Sequence, residues 1–397
     1  MFDLPAVQAA LRQFGFDGWL LCDFRGGNML ARRILDLGER ELTSRRYYYA
    51  VPAEGTPRKL VHRIEQGVLD HLPGDRHVYL KWQELEAGVA ELLQGMSRVA
   101  MEYSPRNANP YVSKVDAGTV ELVRSMGVEV GSSGDLAQLF EATWDDAQWT
   151  SHLDAEKQTT AAFDLAWKVI AERIRNGQSL TECELKAIIL DHFQRNNLVT
   201  DHGPIVAVGP HSGNPHFEPS PEHDTPIQAG DFVLIDLWGK LNQPRSVYSD
   251  LTRVGYVGDT VPSEYETIFT IVSGARDAAI QRIREAFAAG QPLQGWEVDA
   301  AARSVIEQAG YGARFVHRTG HSIGQETHGN GANMDNLETH EERLILPRTC
   351  FSIEPGIYLE EFGIRSEVNV YIDADRQVHV TGGLQKQVVP ILARTPA

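Results

Sequence analysis

A chain of 397 residues, 42% hydrophobic and 23% charged, is long enough for two globular domains and apolar enough to fill their cores. Its 37 basic residues against 54 acidic ones give a net charge of −17, which excludes the broad basic footprint of sequence-independent nucleic-acid binding. Cys22, Cys183 and Cys350, odd in number and far apart, form neither a CxxC pair nor a disulfide framework and point to a reducing compartment.

At the start of the chain Asp3 precedes Arg12, the reverse of a signal peptide's charge order, and no stretch reaches the roughly 18 apolar residues of a membrane span. The expectation is a cytoplasmic protein with no nucleic-acid and no membrane partner. Residues 4–14 have helical apolar spacing, and Trp19–Cys22 and Arg46–Val51 read as strands. His77–Lys81, Gln83–Leu93 and Arg98–Glu102 follow as strand, helix and strand, a βαβ pattern. Arg25-Gly26-Gly27-Asn28 is a glycine turn without the spacing of a phosphate loop. Residues 1–150 are therefore expected to form a small α/β domain without a catalytic constellation.

The chain turns polar around residues 145–155, and the domain boundary is placed there, with residues 151–397 as an α+β second domain. Ala155–Arg175 reads as an amphipathic helix with Ala162, Leu165, Ala166, Val169 and Ile170 on one side, stopped by Gly177. Ser179 and Glu182 have capping-box spacing for a helix reaching about Arg195. Ser263–Ala289 and Trp296–Ala309 are two further helices, and strands are expected over 204–208, 232–236, 250–257, 350–354 and 364–372.

Four segments of this second domain carry acidic or imidazole side chains at strand ends or glycine turns. In Phe232–Arg253 a buried strand ends at Asp236 and a second opens at Asp250, so a hairpin sets two aspartates side by side at one end of a sheet. Two such carboxylates repel unless a cation lies between them. Gly320-His321-Ser322-Ile323-Gly324, followed by His328, gives an imidazole freedom to approach other groups. Pro355 ends ladder pairing just after Glu354, and Glu367 lies on an alternating strand, on the same face as Arg365. Singly, each is as well explained as a turn residue, a loop histidine or a surface ion pair. Together, four carboxylates and one imidazole suit a hard, oxygen-rich site for two divalent ions, which activate water and polarise a carbonyl.

The strings LID, SDLTR, GHSIG, SIEPGIY and GIRSEV, in this order over roughly residues 155–380, resemble metallopeptidase family M24, which includes methionine aminopeptidase, aminopeptidase P and prolidase. The resemblance implies a pita-bread catalytic domain and a ligand set of Asp236, Asp250, His321, Glu354 and Glu367. It further implies that Glu354 is the general base, that His328 stabilises the tetrahedral intermediate, and that His216 binds near the substrate carbonyl. His317 resembles a pocket histidine of the proline-specific branch. The N-terminal α/β domain favours that branch, which forms homodimers, over the methionine aminopeptidases.

Some positions depart from the family pattern. Val247 stands where a tyrosine is usual, with Tyr248 one residue later. His340 stands where prolidases carry an arginine for the substrate carboxylate; Arg343 is the expected substitute, with Arg365 assigned to bracing the metal site or the substrate. The reading is a dinuclear Xaa-Pro dipeptidase loaded with Mn²⁺, Zn²⁺ or Co²⁺, acting on an Xaa-Pro dipeptide or short peptide. Aminopeptidase P, acting on longer peptides, and a binding module that has lost catalysis are the alternatives.

Overall fold

The computed structural model describes residues 2–37 and 43–393. The chain divides into two compact units, Met1–Glu141 and Ala142–Ala397.

In the first unit, helix α1 (Leu4–Gln13) starts at Asp3, whose carboxylate accepts the Ala6 N–H. Strands β1 (Gly18–Asp23), β2 (Tyr47–Pro52), β3 (Arg58–His62), β4 (Asp75–Tyr79), β5 (Arg98–Met101) and β6 (Glu129–Ser132) form one sheet in the order β4-β3-β2-β1-β5-β6. Helices α2 (Met29–Ile34), α3 (Trp82–Leu92), α4 (Ala117–Ser125) and α5 (Gly134–Glu141) complete the unit. The β4–α3–β5 succession matches the expected order of elements. Its strands are not neighbours, however, because β3, β2 and β1 lie between them. β1 is buried along its whole length, as an apolar central strand should be.

The second unit opens with α6 (Asp146–Arg175), capped by Asp145 in a capping box with Gln148, so the polar run at 145–155 forms its first turns. The cap of α7 (Glu182–Arg195) is Thr181 with Glu184, two residues later than the expected Ser179 and Glu182. Glu182 is turned inward instead, where it accepts the N–H groups of Val208 (2.7 Å) and Thr225 (3.0 Å).

Strands β7 (Leu198–Val199), β8 (Ile205–Val208), β9 (Phe232–Leu241) and β10 (Ser249–Tyr256) follow, and β9 pairs antiparallel with β7, β8 and β10. Side chains alternate across this sheet. Val233, Ile235, Leu237 and Leu251 pack against Phe163, Ile170, Ile189 and Phe193 of α6 and α7. Phe232, Leu234 and Val254 face the other way, into a core shared with α8 (Ser263–Ala288) and α9 (Gly295–Gln308). Asp236, Asp250 and Thr252 continue that second face by the same alternation.

Two further sheets supply the rest of the site. One joins β11 (Ser322–Ile323), β12 (Cys350–Ile353), β15 (Val368–Ile372) and β16 (Val378–Thr381); the other is the hairpin of β13 (Gly356–Tyr358) and β14 (Gly363–Arg365). The short strand β17 (Val389–Pro390) pairs with β10. The single strand expected over 364–372 is thus two strands in different sheets. Ser366 and Glu367 form the break, held by Arg276 Nη1 donating to Ser366 Oγ (2.8 Å) and Arg253 Nη1 donating to Glu367 O (2.6 Å). Among the described residues no helix is long and apolar enough to cross a membrane.

Candidate metal centre

The β9–β10 register sets Asp236 opposite Thr252 and Asp250 opposite Trp238, so the two aspartates are diagonal neighbours on one face. They lie within the ladder rather than at its end, because β9 continues past Asp236 to Leu241. An amide clamp fixes Asp250: Asn369 Oδ1 accepts its N–H (3.0 Å) and Asn369 Nδ2 donates to its carbonyl (2.6 Å). Those two bonds tie β10 to β15.

His321 reaches the same point from the glycine turn before β11. Gly320 passes so close to β12 that an added Cβ would lie 1.9 Å from Ser352 O, which leaves room for no larger residue. The His321 Nδ1 atom is 3.1 Å from Ser322 O, so it carries the proton and Nε2 is left as a free lone pair. Nε2 lies 3.4 Å from Asp250 Oδ2 and 3.5 Å from Glu354 Oε1. Single donor atoms of Asp250, His321 and Glu367 all lie within 4.8 Å of one another. Glu354 directly follows β12, as Pro355 led us to expect, and its Oε1 accepts the Ser352 hydroxyl (3.0 Å).

Arg365 places its guanidinium inside this cluster. Its Nη2 donates to Asp236 Oδ2, its Nε donates to Thr252 Oγ1 (2.9 Å), and the Thr252 hydroxyl donates to Glu367 Oε2 (2.8 Å). Nη1 donates to Tyr358 Oη (3.1 Å), which lies 2.7 Å from His317 Nε2. With His317 Nδ1 on Arg318 O (2.7 Å), a directed chain runs from Arg365 through Tyr358 to His317.

The electrostatics call for more positive charge than Arg365 provides. Burial, then neighbouring carboxylates, push the protons of Asp250 and Glu367 well above the usual carboxylate range. Burial raises Glu354 as well, against the pull of His321 and Arg365. Burial alone would weaken the proton on Arg365, but Tyr358, Asp236, Glu354 and Glu367 surround it and hold it charged. Asp236 Oδ1 is buried with no hydrogen-bond partner. A buried carboxylate oxygen without a partner, a free imidazole lone pair and adjacent carboxylates are the donor set a hard divalent cation takes. The residues therefore fit the metal the sequence implies.

The remaining predicted residues divide into those near the cluster and those tied elsewhere. The His328 ring lies 4.3 Å from that of His321; this neighbour, then burial, lowers its pKa to about 3, so the ring is neutral. His317, pushed by burial and then by Arg365 to about 3, is neutral too. His216 is exposed on the loop after β8. Arg343 does not fit its expected role. Its guanidinium is buried and committed to Glu341, with Nε 2.8 Å from Oε1 and Nη2 2.5 Å from Oε2, while Nη1 donates to Asn330 O. His340 is exposed, bonded to Asn336 Oδ1 (2.7 Å) and set against Trp296. Tyr248 packs under Lys240, whose Nζ is 4.9 Å from its ring.

Sequence reading missed Thr252, Ser352, Tyr358 and Asn369, which orient the charged groups. Three of them were within reach: Thr252 and Ser352 stand two residues from Asp250 and Glu354, and Asn369 two from Glu367, the spacing that keeps side chains on one strand face. Arg303 was also missed. It pairs with buried Asp299 (2.9 Å) and donates to the carbonyls of Phe315 (3.0 Å) and His317 (2.9 Å), fixing the approach to His321.

The sequence model described as "Metallopeptidase family M24" matches residues 152–374. The "Probable dipeptidase PepE" of Mycobacterium bovis is 32% identical over 231 residues, 58% of this chain and 57% of that protein. The chain thus spans little more than half the length of that relative. The "Xaa-Pro dipeptidase" of Lactobacillus delbrueckii subsp. lactis is 32% identical over 211 residues, 51% of each chain. Among solved structures, dipeptidase PepE from Mycobacterium ulcerans matches with a TM-score of 0.68 at 23% identity, over 97% of this chain and 96% of that one, a likeness of fold.

Proposed function

Because the chain belongs to metallopeptidase family M24, with its pita-bread fold, we propose that it is a dinuclear metal-dependent peptidase that hydrolyses the bond before proline in Xaa-Pro dipeptides. The observation that carries this reading is the buried convergence of Asp236, Asp250, His321, Glu354 and Glu367, with Asp236 Oδ1 unpartnered. These five residues would hold two divalent ions, Mn²⁺ by the oxygen-rich donor set, with Zn²⁺ or Co²⁺ as substitutes. Bound there, the ions supply Lewis-acid activation of a water and of a carbonyl.

The chain's own groups do the rest. Glu354 takes the proton of the attacking water and passes it to the proline nitrogen; the Ser352 hydroxyl fixes its orientation. His328, neutral, donates an N–H to the oxygen that gains charge as the carbonyl becomes tetrahedral. His216, on the loop after β8, is assigned to the same carbonyl. Arg365 holds Asp236 with its full fork committed and is a positioning residue. We assign the proline carboxylate to Arg318, whose charge acts on His317, His321 and His328 alike.

The first unit, Met1–Glu141, is assigned as a creatinase-like α/β domain and the second, Ala142–Ala397, as the catalytic domain of a cytoplasmic homodimer, with the boundary ahead of α6 rather than at residue 150. The test is hydrolysis of Xaa-Pro beside Xaa-Pro-Yaa by chelated protein with each metal added back. Turnover of the dipeptide only after metal addition supports the reading. Faster turnover of tripeptides moves the assignment to aminopeptidase P, and turnover without metal removes the mechanism.

A further inference from the structure

A further carboxylate stands beside this cluster without a role in the chemistry above. Asp201 follows β7, and its Oδ1 accepts the indole N–H of Trp238 (2.6 Å). The Thr327 hydroxyl lies 3.3 Å from both carboxylate oxygens. Trp238 is the register partner of Asp250, and Thr327 immediately precedes His328. Asp201 is thus held by the neighbours of a metal-binding aspartate and of the histidine assigned to the carbonyl. Its charge acts on both Asp250 and His328.

This carboxylate has no lysine or arginine ion pair among the described residues. Among the described residues its ion-pair partner is the exposed His202 at 3.7 Å, its charge also acts on Lys240, and the Asp201 side chain is 46% exposed. Lys240, on the same strand as Trp238, donates instead to Gln325 O (2.5 Å). Asp201 is therefore oriented by neutral donors and open to solvent, the arrangement of a group that meets a mobile cation.

We propose that Asp201 binds the free α-ammonium group of the substrate's first residue, an assignment that rests on the Xaa-Pro peptidase reading above. The chemistry of a dipeptide supports it. The ammonium nitrogen and the scissile carbonyl carbon are bonded to the same Cα, so a group beside the carbonyl's donor is also beside the ammonium. An oriented carboxylate there accepts one N–H of the ammonium, and a peptide with an acylated N-terminus loses that bond.

The test compares metal-loaded parent enzyme with Asp201→Asn and Asp201→Glu, using Ala-Pro and Lys-Pro as substrates. Propionyl-proline, which lacks the ammonium, serves as the competitive inhibitor. Asp201→Asn is expected to raise KM for both substrates about tenfold, the size of one charge-assisted hydrogen bond at a partly exposed site. Its kcat should stay within about twofold, the Ki of propionyl-proline should not move, and Asp201→Glu should recover part of the KM. An unmoved KM, or a Ki that rises with it, overturns the proposal. A loss confined to Lys-Pro overturns it as well, since Asp201 would then read the side-chain cation. Failure of the parent enzyme to hydrolyse Ala-Pro removes the peptidase reading and this proposal with it. Parent turnover with an unmoved variant KM sinks the Asp201 assignment alone.

Discussion

Arg365 binds one oxygen of Asp236 and leaves the other without a partner: Nη2 donates to Oδ2, while Oδ1 is buried and unbonded. A divalent ion on Oδ1 would complete the carboxylate and relieve the repulsion among its neighbours. Chelation should therefore abolish peptide hydrolysis and lower the Tm. Ion at about 100 times its Kd should return about 2.7 kcal/mol of stability. Elemental analysis beside thermal melts checks this; full activity in demonstrably metal-free protein would falsify the metal assignment.

His328 faces the cluster but lies outside the ligand set. His328→Ala should cut kcat by roughly 10²–10³, the usual loss for an oxyanion donor, with metal content unchanged. Loss of metal on substitution would make His328 a ligand instead, and an unaltered kcat would remove it from the reaction.

Arg343 and Arg318 should separate cleanly. Arg343→Ala removes the guanidinium paired with buried Glu341, so a stability loss of about 3 kcal/mol is expected, with Xaa-Pro and Xaa-Pro-NH₂ affected alike. Arg318→Ala should raise KM for Xaa-Pro alone, since the amide carries no charge to pair. Equal losses on both substrates for Arg318→Ala would leave the carboxylate without an assigned partner.

The buried His152 gives the fold a pH signature away from the metal. Its Nδ1 lies 2.8 Å from Tyr248 O and its Nε2 2.7 Å from Thr381 Oγ1, and burial lowers its pKa from 6.5 to about 4. The unfolded chain then binds more protons between these values, so stability rises with pH. The contribution is fully present above 6.5 and is lost as pH falls toward 4, about 3 kcal/mol in all. Denaturant titrations from pH 7 to 4 should show this slope and a flatter one for His152→Gln. Parallel slopes for the two proteins would assign the loss to other groups.

The residues proposed to hold the metal could be picked out in the sequence because each sits in its own local string, with a glycine, a proline or a strand end beside it. Arg343 misled because spacing along a chain reports nearness to a motif but not prior commitment; Glu341, two residues away, takes its Nε and Nη2, and Asn330 O takes Nη1. The break at Ser366 and Glu367 was hidden for a similar reason. Alternation of polar and apolar residues runs straight through it, and Thr252, Arg253 and Arg276, distant in sequence, hold it open. The start of α6 was missed because its first turns are polar, and the cap of α7 because Glu182 is needed inside. Asp201 has no motif, since Trp238 and Thr327, the groups that orient it, come from other strands and turns.

The pairing of Asp236 with Arg365 joins residues 129 positions apart, and Thr252 meets Glu367 across 115. Closing chain loops of that length costs entropy that local contacts do not repay, so such contacts form late in folding. The α6–β10 and α8–β15 segments each hold only part of the donor set. An ion supplied during refolding would find two carboxylates, or two carboxylates and an imidazole, and would exchange freely until both segments had docked. Slow metal exchange would thus report the last step of assembly, and the ion would act as a latch on the finished fold rather than as a nucleus for it.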